Sequence, residues 1–351
     1  MILLLLIGCR ADEVKFGGDS GPEVPAGSAP AGTRPVVDVA VSTLVGERGY
    51  DAAARVVGPI DVDGDGLLDL VVGAPGNDEG GNDRRKTYVF RGPVGAPAEA
   101  ANADITILGS RGYADAGVPS FADVDGDATG DLYLGGNDEI AVFLAPLAGN
   151  MAAEDSDLRI MESLSSVAFG DLDGDEVPDM VLRNWLVGVD SLFLVAGPLE
   201  SMLHPTDQSF ATIVNSTNGL PFGSSLATGG DLDGDGSNDL VLGSDRRLSL
   251  VPGPVAAGEH EHDAWSWTET DVSTMAIVGD IDGDGHDDLL VGDTNNGDND
   301  NDAGRVTLLA GPLPDGEWER AELASAVFLG EGISEQAGAA VAPAGDVDGD
   351  G

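Results

Sequence analysis

Five stretches of nine residues carry aspartate at their first, third, fifth and ninth positions and glycine at the fourth. They are Asp61, Asp63, Asp65, Asp69; Asp123, Asp125, Asp127, Asp131; Asp171, Asp173, Asp175, Asp179; Asp231, Asp233, Asp235, Asp239; and Asp280, Asp282, Asp284, Asp288. A sixth copy begins with Asp346, Asp348 and Asp350 and is interrupted at Gly351, so a C-terminally truncated chain is expected. Carboxylates at alternate residues of a tight loop converge on one point, which suits a hard cation with six to eight oxygen ligands. Positions 1, 3 and 5 point inward, position 7 offers its carbonyl and position 9 closes the shell. Each loop is therefore expected to hold one Ca2+.

The neighbours of the aspartates fit that chemistry. Glycine at position 4 permits backbone angles closed to other residues, and position 2 is always aliphatic (Val62, Val124, Leu172, Leu232, Ile281, Val347), an anchor to a core beneath. An EF-hand loop opens in the same way but needs glutamate at position 12. Here position 12 is Val72, Leu134, Leu182, Leu242 and Val291, which rejects that motif in every copy. Position 6 is glycine in three loops but Ala128 and Glu176 in the second and third, where a positive φ is costly. Those two are expected to be the weakest sites.

Other reactive constellations are sparse. No HExxH, GxSxG or P-loop pattern occurs. His260-Glu261-His262 suits an exposed turn better than a transition-metal site, and Trp185, Trp265 and Trp267 suit strand packing better than sugar stacking. The polar insertions 76–86 and 293–304 read as solvated hairpin tips.

First positions of successive loops lie 62, 48, 60, 49 and 66 residues apart, a period that marks stacked supersecondary units. After each loop comes an apolar run such as Leu70-Val71-Val72-Gly73 or Leu289-Leu290-Val291-Gly292, read as a buried strand. A second run ends in a proline turn, as in Leu248-Ser249-Leu250-Val251-Pro252-Gly253-Pro254. A more polar strand follows, and then the strand that leads into the next loop. Four strands per unit at this period predict an all-β fold, a β-propeller of four-stranded blades.

With Phe222-Gly223 before the fourth loop and Gly73-Ala74-Pro75 after the first, the unit resembles the FG-GAP repeat of the integrin alpha-chain propeller and its bacterial relatives. The resemblance covers residues 38–351. It implies a seven-bladed propeller, of which five to six blades are present here, with calcium loops on one face. Leu44-Val45-Gly46-Glu47 matches Phe328-Leu329-Gly330-Glu331 in its placement before a loop. It is therefore expected to be an outermost strand that completes the final blade and locks first to last.

The chain has 63 acidic and 16 basic residues, a net charge of -47, which makes nucleic acid and anionic membranes poor partners. One cysteine, Cys9, excludes an intramolecular disulfide framework. It follows the apolar run Ile2 to Ile7, too short to span a bilayer. Leu6-Ile7-Gly8-Cys9 resembles a bacterial lipobox, which implies a signal segment over 1–9, lipidation of Cys9 and a place on the cell envelope or surface, with secretion as the alternative. Residues 10–37, rich in Gly, Pro, Ala and Ser, read as a flexible tether.

Three functions remain open. One is a non-catalytic binding or adhesion module that recognises a protein or polysaccharide. Another is a calcium-dependent polysaccharide lyase or hydrolase, for which Arg84-Arg85-Lys86 and Arg246-Arg247 are the available basic clusters. The third is a structural surface protein without a specific ligand. Fold alone does not decide among them.

Overall fold

The computed structural model describes residues 44–45, 55–77, 85–92, 98–109, 119–127, 129–135, 140–160, 164–184, 191–199, 204–215, 223–244, 247–261, 266–268, 271–297, 302–330 and 332–343. Cys9, the segment 10–37 and the sixth loop with Asp346, Asp348 and Asp350 lie outside them.

Five sheets follow one another along the chain, each built on four antiparallel strands in the same order. The first holds Arg55–Ile60, Asp69–Ala74, Lys86–Phe90 and Ile105–Leu108. Pro119–Ala122, Asp131–Gly135, Ile140–Phe143 and Leu158–Ile160 form the second. In the third are Leu164–Gly170, Asp179–Asn184, Ser191–Val195 and Ala211–Val214. The fourth takes Ser225–Thr228, Leu240–Gly243, Leu248–Val251 and Ser266–Thr268. Thr274–Ile277, Leu289–Asp293, Arg305–Leu309 and Ala324–Leu329 make the fifth. Helix is confined among the described residues to short turns such as Pro205–Gln208 and Arg320–Leu323.

The second and third strands of a sheet read as unbroken apolar runs because both of their faces are covered. Every residue of Leu240–Gly243 and Leu248–Val251 is buried. The described residues divide into two compact units, one within Cys9–Asp123 and Asp127–Met161, the other within Val124–Gly126 and Glu162 onward. In the former, one cluster joins Val71, Val89 and Ile107 of the first sheet to Leu132, Leu134 and Phe143 of the second. In the latter, Val181, Leu192 and Ile213 of the third sheet meet Leu240 and Leu242 of the fourth, while Val241 and Leu250 face Leu289 and Val291 of the fifth. The cores thus lie between successive sheets.

Short parallel additions link consecutive repeats. Met151–Ala152, downstream of the second proline turn, pairs with Ile105–Leu108, the outer strand of the first sheet. Gly258–Glu261 pairs in the same way with Ala211–Val214 of the third sheet. Leu44–Val45 pairs with Ala98–Glu99, a segment in the equivalent place after the first proline turn. Leu44–Val45 therefore occupies the position of an outer strand of a repeat before the first sheet.

Candidate metal centre

Each of the five complete acidic loops connects the first strand of a sheet to the second, so a β-hairpin presents it. Position 9 begins or immediately precedes the second strand and is drawn into the core. Asp69, Asp131, Asp179, Asp239 and Asp288 are all at most 2% exposed. Position 2 is the inward anchor expected in four loops, with Val62, Val124, Leu172 and Leu232 fully buried, whereas Ile281 is exposed at the fifth.

The loop is shaped by its own carboxylates. In the fourth copy, Asp231 Oδ1 accepts from the amides of Gly234 at 2.7 Å and Asp235 at 3.1 Å, and its Oδ2 accepts from Gly236 at 2.9 Å. The Asp235 amide is shared with Asp233 Oδ1, and Ser237 N–H donates to Asp235 Oδ1. The same bonds recur in the first, third and fifth loops around Asp61, Asp171 and Asp280. Position 9 closes the ring from both sides. Asp239 Oδ2 accepts from Leu232 N–H at 2.7 Å, while its Oδ1 accepts from Gly253 N–H of the proline turn at 3.0 Å. Gly92, Gly197 and Gly311 make the equivalent bonds to Asp69, Asp179 and Asp288.

In four of the turns glycine meets a steric need. A Cβ on Gly92, Gly197, Gly253 or Gly311 would run into the carbonyl oxygen of loop position 8. The second repeat has Ala145 instead, whose N–H still reaches Asp131 Oδ1 at 2.8 Å.

In four loops, carboxylate oxygens from positions 1, 3 and 9 lie within 4.8 Å of one another: Asp61, Asp63, Asp69; Asp171, Asp173, Asp179; Asp231, Asp233, Asp239; and Asp280, Asp282, Asp288. Opposite ligands of a calcium ion at about 2.4 Å would be separated by about this distance, so the donor sets fit a hard divalent cation. The position 5 carboxylates Asp65, Asp175, Asp235 and Asp284 stand outside these trios. The second loop differs, gathering Asp123, Asp125 and Asp127 and leaving Asp131 out.

Position 6 separates the two loops expected to be weak. Glu176 adopts the left-handed conformation, φ 69°, and donates its amide to Asp171 Oδ2 at 3.0 Å, as the glycines do. The third loop thus keeps the common geometry at the cost of backbone strain. Ala128 lies outside the described residues.

Crowded carboxylates resist ionisation. Burial pushes Asp179 and Asp239 up from 3.8 to about 6; Asp173, and Asp233 with Asp231, add to the rise, and backbone N–H donors oppose it. Burial likewise raises Asp173, Asp233 and Asp288. Asp61, partly exposed, and Asp280, exposed, are held by the amides of Gly66 and Gly285 first of all and move down. A bound cation would relieve the repulsion among the raised groups.

Two charged neighbours were not visible as loop components in the sequence. Arg91, just before the first proline turn, places Nε 2.7 Å from Asp63 Oδ2. Asp315, beyond the fifth turn, lies close enough to Asp233 to raise it. Neither belongs to a motif, and only the fold brings them to a loop. Elsewhere, His260 lies in the strand Gly258–Glu261 rather than in a turn, with Nε2 2.6 Å from the Ala256 carbonyl oxygen. Trp185, Trp265, Arg84 and Arg246 lie outside the described residues.

Among solved structures, the V. cholerae biofilm matrix protein Bap1 is similar at 15% identity with a TM-score of 0.37, over 76% of this chain and 40% of that one. The chain thus spans less than half of that protein. BBS1N in complex with ARL6DN is similar at 11% identity and a TM-score of 0.34, over 80% of this chain and 82% of that one. No curated protein matches the sequence. The FG-GAP repeat model matches residues 53–90 and 274–309, and the FG-GAP-like repeat model matches 231–291. These segments contain the first, fourth and fifth acidic loops, each with the strand that follows it: the chain carries FG-GAP repeats.

Proposed function

We propose that the chain is a calcium-binding, extracytoplasmic β-propeller that acts as a non-catalytic binding or adhesion module. The observation that carries this reading is the repeated convergence of carboxylates from positions 1, 3 and 9, one of them buried, at the same hairpin of sheet after sheet. Calcium at these hairpins would rigidify the scaffold and leave inter-strand loops to contact a protein or polysaccharide. The residues that would hold it are the loop aspartates, with positions 1 and 3 at the mouth and position 9 beneath. Closure into a ring is supported by Leu44–Val45, whose parallel pairing with Ala98–Glu99 matches the pairing of other outer strands with the segment after a proline turn. Anchoring through a lipid on Cys9 and a place on the cell envelope rest on Leu6-Ile7-Gly8-Cys9 alone.

Calorimetric titration tests the metal reading. Binding of about one calcium per complete loop is expected, with a rise in melting temperature that a chelator reverses. Absence of both would overturn it. A glycan and protein array, probed with and without calcium, tests the binding role. Turnover of an acidic polysaccharide would sink the non-catalytic reading and favour the lyase or hydrolase.

A further inference from the structure

We infer that the acidic loops are coupled to one another through the proline turns, so that a cation bound in one loop strengthens binding in the loop of the preceding repeat. The inference rests on the reading of the loops as cation sites. It goes further by assigning a coupling role to backbone amides at Val255 and Leu313.

The residue after each proline of a turn donates its N–H to the position 2 carbonyl oxygen of the loop in the preceding repeat. Leu313 bonds to Leu232 at 2.6 Å, Val255 to Leu172 at 2.6 Å, Leu199 to Val124 at 3.0 Å and Leu147 to Val62 at 2.7 Å. Each of these bonds lies within one compact unit. The glycine two residues earlier in three of these turns donates to position 9 of its own loop, as described for Gly253 and Gly311. Position 9, in turn, accepts from the amide of position 2 of its own loop.

These bonds join into one path. From Asp288 it runs through Gly311 to Leu313, across to Leu232, and on to Asp239. It continues from Asp239 through Gly253 to Val255, across to Leu172, and on to Asp179. Three buried carboxylates, each of which would help to hold a cation in its own loop, are thus linked by direct hydrogen bonds and short peptide segments. A second contact reinforces the first step, because Asp231 N–H donates to Asp287 Oδ2 at 2.8 Å and Asp287 N–H donates to the Asp231 carbonyl oxygen at 3.0 Å.

The physical basis is the difference between a filled and an empty loop. Without a cation, carboxylates at positions 1, 3 and 9 repel, and the loop samples open arrangements. In those arrangements position 9 no longer fixes the turn glycine, and the amide two residues on is no longer held against the neighbouring loop. A cation at one loop therefore orders the strap that the preceding loop needs, and removes part of the ordering cost of binding there. Linkage makes the effect reciprocal.

Hydrogen exchange on the full chain, followed by mass spectrometry during a calcium titration, reads each loop separately. In the wild type, amides of 231–239 and 280–288 are expected to gain protection as calcium is added. Replacing Asp282→Asn and Asp284→Asn disables the fifth loop without touching Asp288. The calcium concentration that protects 231–239 should then rise about fivefold or more, within the range usual for coupled sites. Disabling the fourth loop with Asp233→Asn and Asp235→Asn should shift 280–288 by the same factor.

Leu313→Pro removes the coupling amide, whereas Leu313→Ala keeps it. The shift should vanish in the first and persist in the second. If Leu313→Pro does not fold, the loop variants still decide. An unchanged midpoint at 231–239 in the Asp282→Asn, Asp284→Asn chain overturns the coupling while leaving the cation reading intact. No calcium-dependent protection at any loop of the wild type overturns both.

Discussion

Removing calcium should reverse the usual effect of mild acid, so that the metal-free protein is more stable near pH 4.5 than near pH 7. Asp179 and Asp239 are fully buried, and their carboxyl groups titrate at about 6 in the folded protein against 3.8 unfolded. A group whose folded value is raised binds its proton more tightly when folded. Its stabilising contribution is complete below about 3.8 and is lost as pH rises through about 6. Ionising one such group would cost about 3 kcal/mol without screening, and water and salt at the open side of the loop reduce this to about 1–2 kcal/mol. The pair then contributes a loss of about 1–2 kcal/mol between pH 4.5 and 7, or roughly 2–4 °C in melting temperature. The lowered groups Asp61 and Asp280 work in the opposite direction.

Differential scanning calorimetry in chelator across this range measures the slope, and saturating calcium should abolish it. The general repulsion of a chain with net charge -47 has the same sign. The test therefore compares the wild type with Asp179→Asn, Asp239→Asn at matched ionic strength. That variant loses carboxylate acceptors and should be less stable at pH 4.5, yet its stability should fall less steeply toward pH 7. An equal slope in the two proteins, or a metal-free wild type that gains stability toward pH 7, would refute the reasoning.

Three further outcomes follow from single residues. Glu176→Gly relieves a left-handed backbone at position 6 and, after the greater freedom of an unfolded glycine is subtracted, should stabilise by up to about 1 kcal/mol in chemical denaturation. Gly253→Ala drives a methyl into the Asn238 carbonyl and should cost about 2 kcal/mol or more, while weakening calcium binding at the fourth loop through Asp239. Arg91→Gln removes the cation beside Asp63. It should lower metal-free stability by up to about 1 kcal/mol and tighten calcium binding at 61–69, read by the local exchange midpoint.

The acidic loop was legible because its information is contiguous. Nine residues contain the carboxylates, the glycine of positive φ and the aliphatic anchor, so the hairpin placement followed from the apolar runs on either side. The four-stranded sheets were legible for a related reason, since strands such as Leu240–Gly243 and Leu289–Asp293 open on an apolar run and Leu248–Val251 is apolar but for Ser249, with turn residues close behind. The expected equivalence of Leu44–Val45 with an outer strand also agrees with its parallel pairing to Ala98–Glu99. At position 6 the sequence flagged the strain but not what offsets it: Glu176 adopts the positive φ unfavourable for glutamate, and three bonds to Asp171 from loop amides hold it there.

Sequence by itself determined the repeat, the all-β character and the identity of the loop carboxylates, because those properties are set within a few residues of one another. Tertiary structure decided which carboxylate is buried and which stays at the mouth, since burial depends on the neighbouring sheet. It also decided that Arg91 pairs with Asp63, that Asp315 adds charge near Asp233, and that Leu313 holds Leu232. These partners are separated along the chain by a distance no local pattern encodes, and only the stacking of one sheet on the next brings a proline turn against the preceding loop.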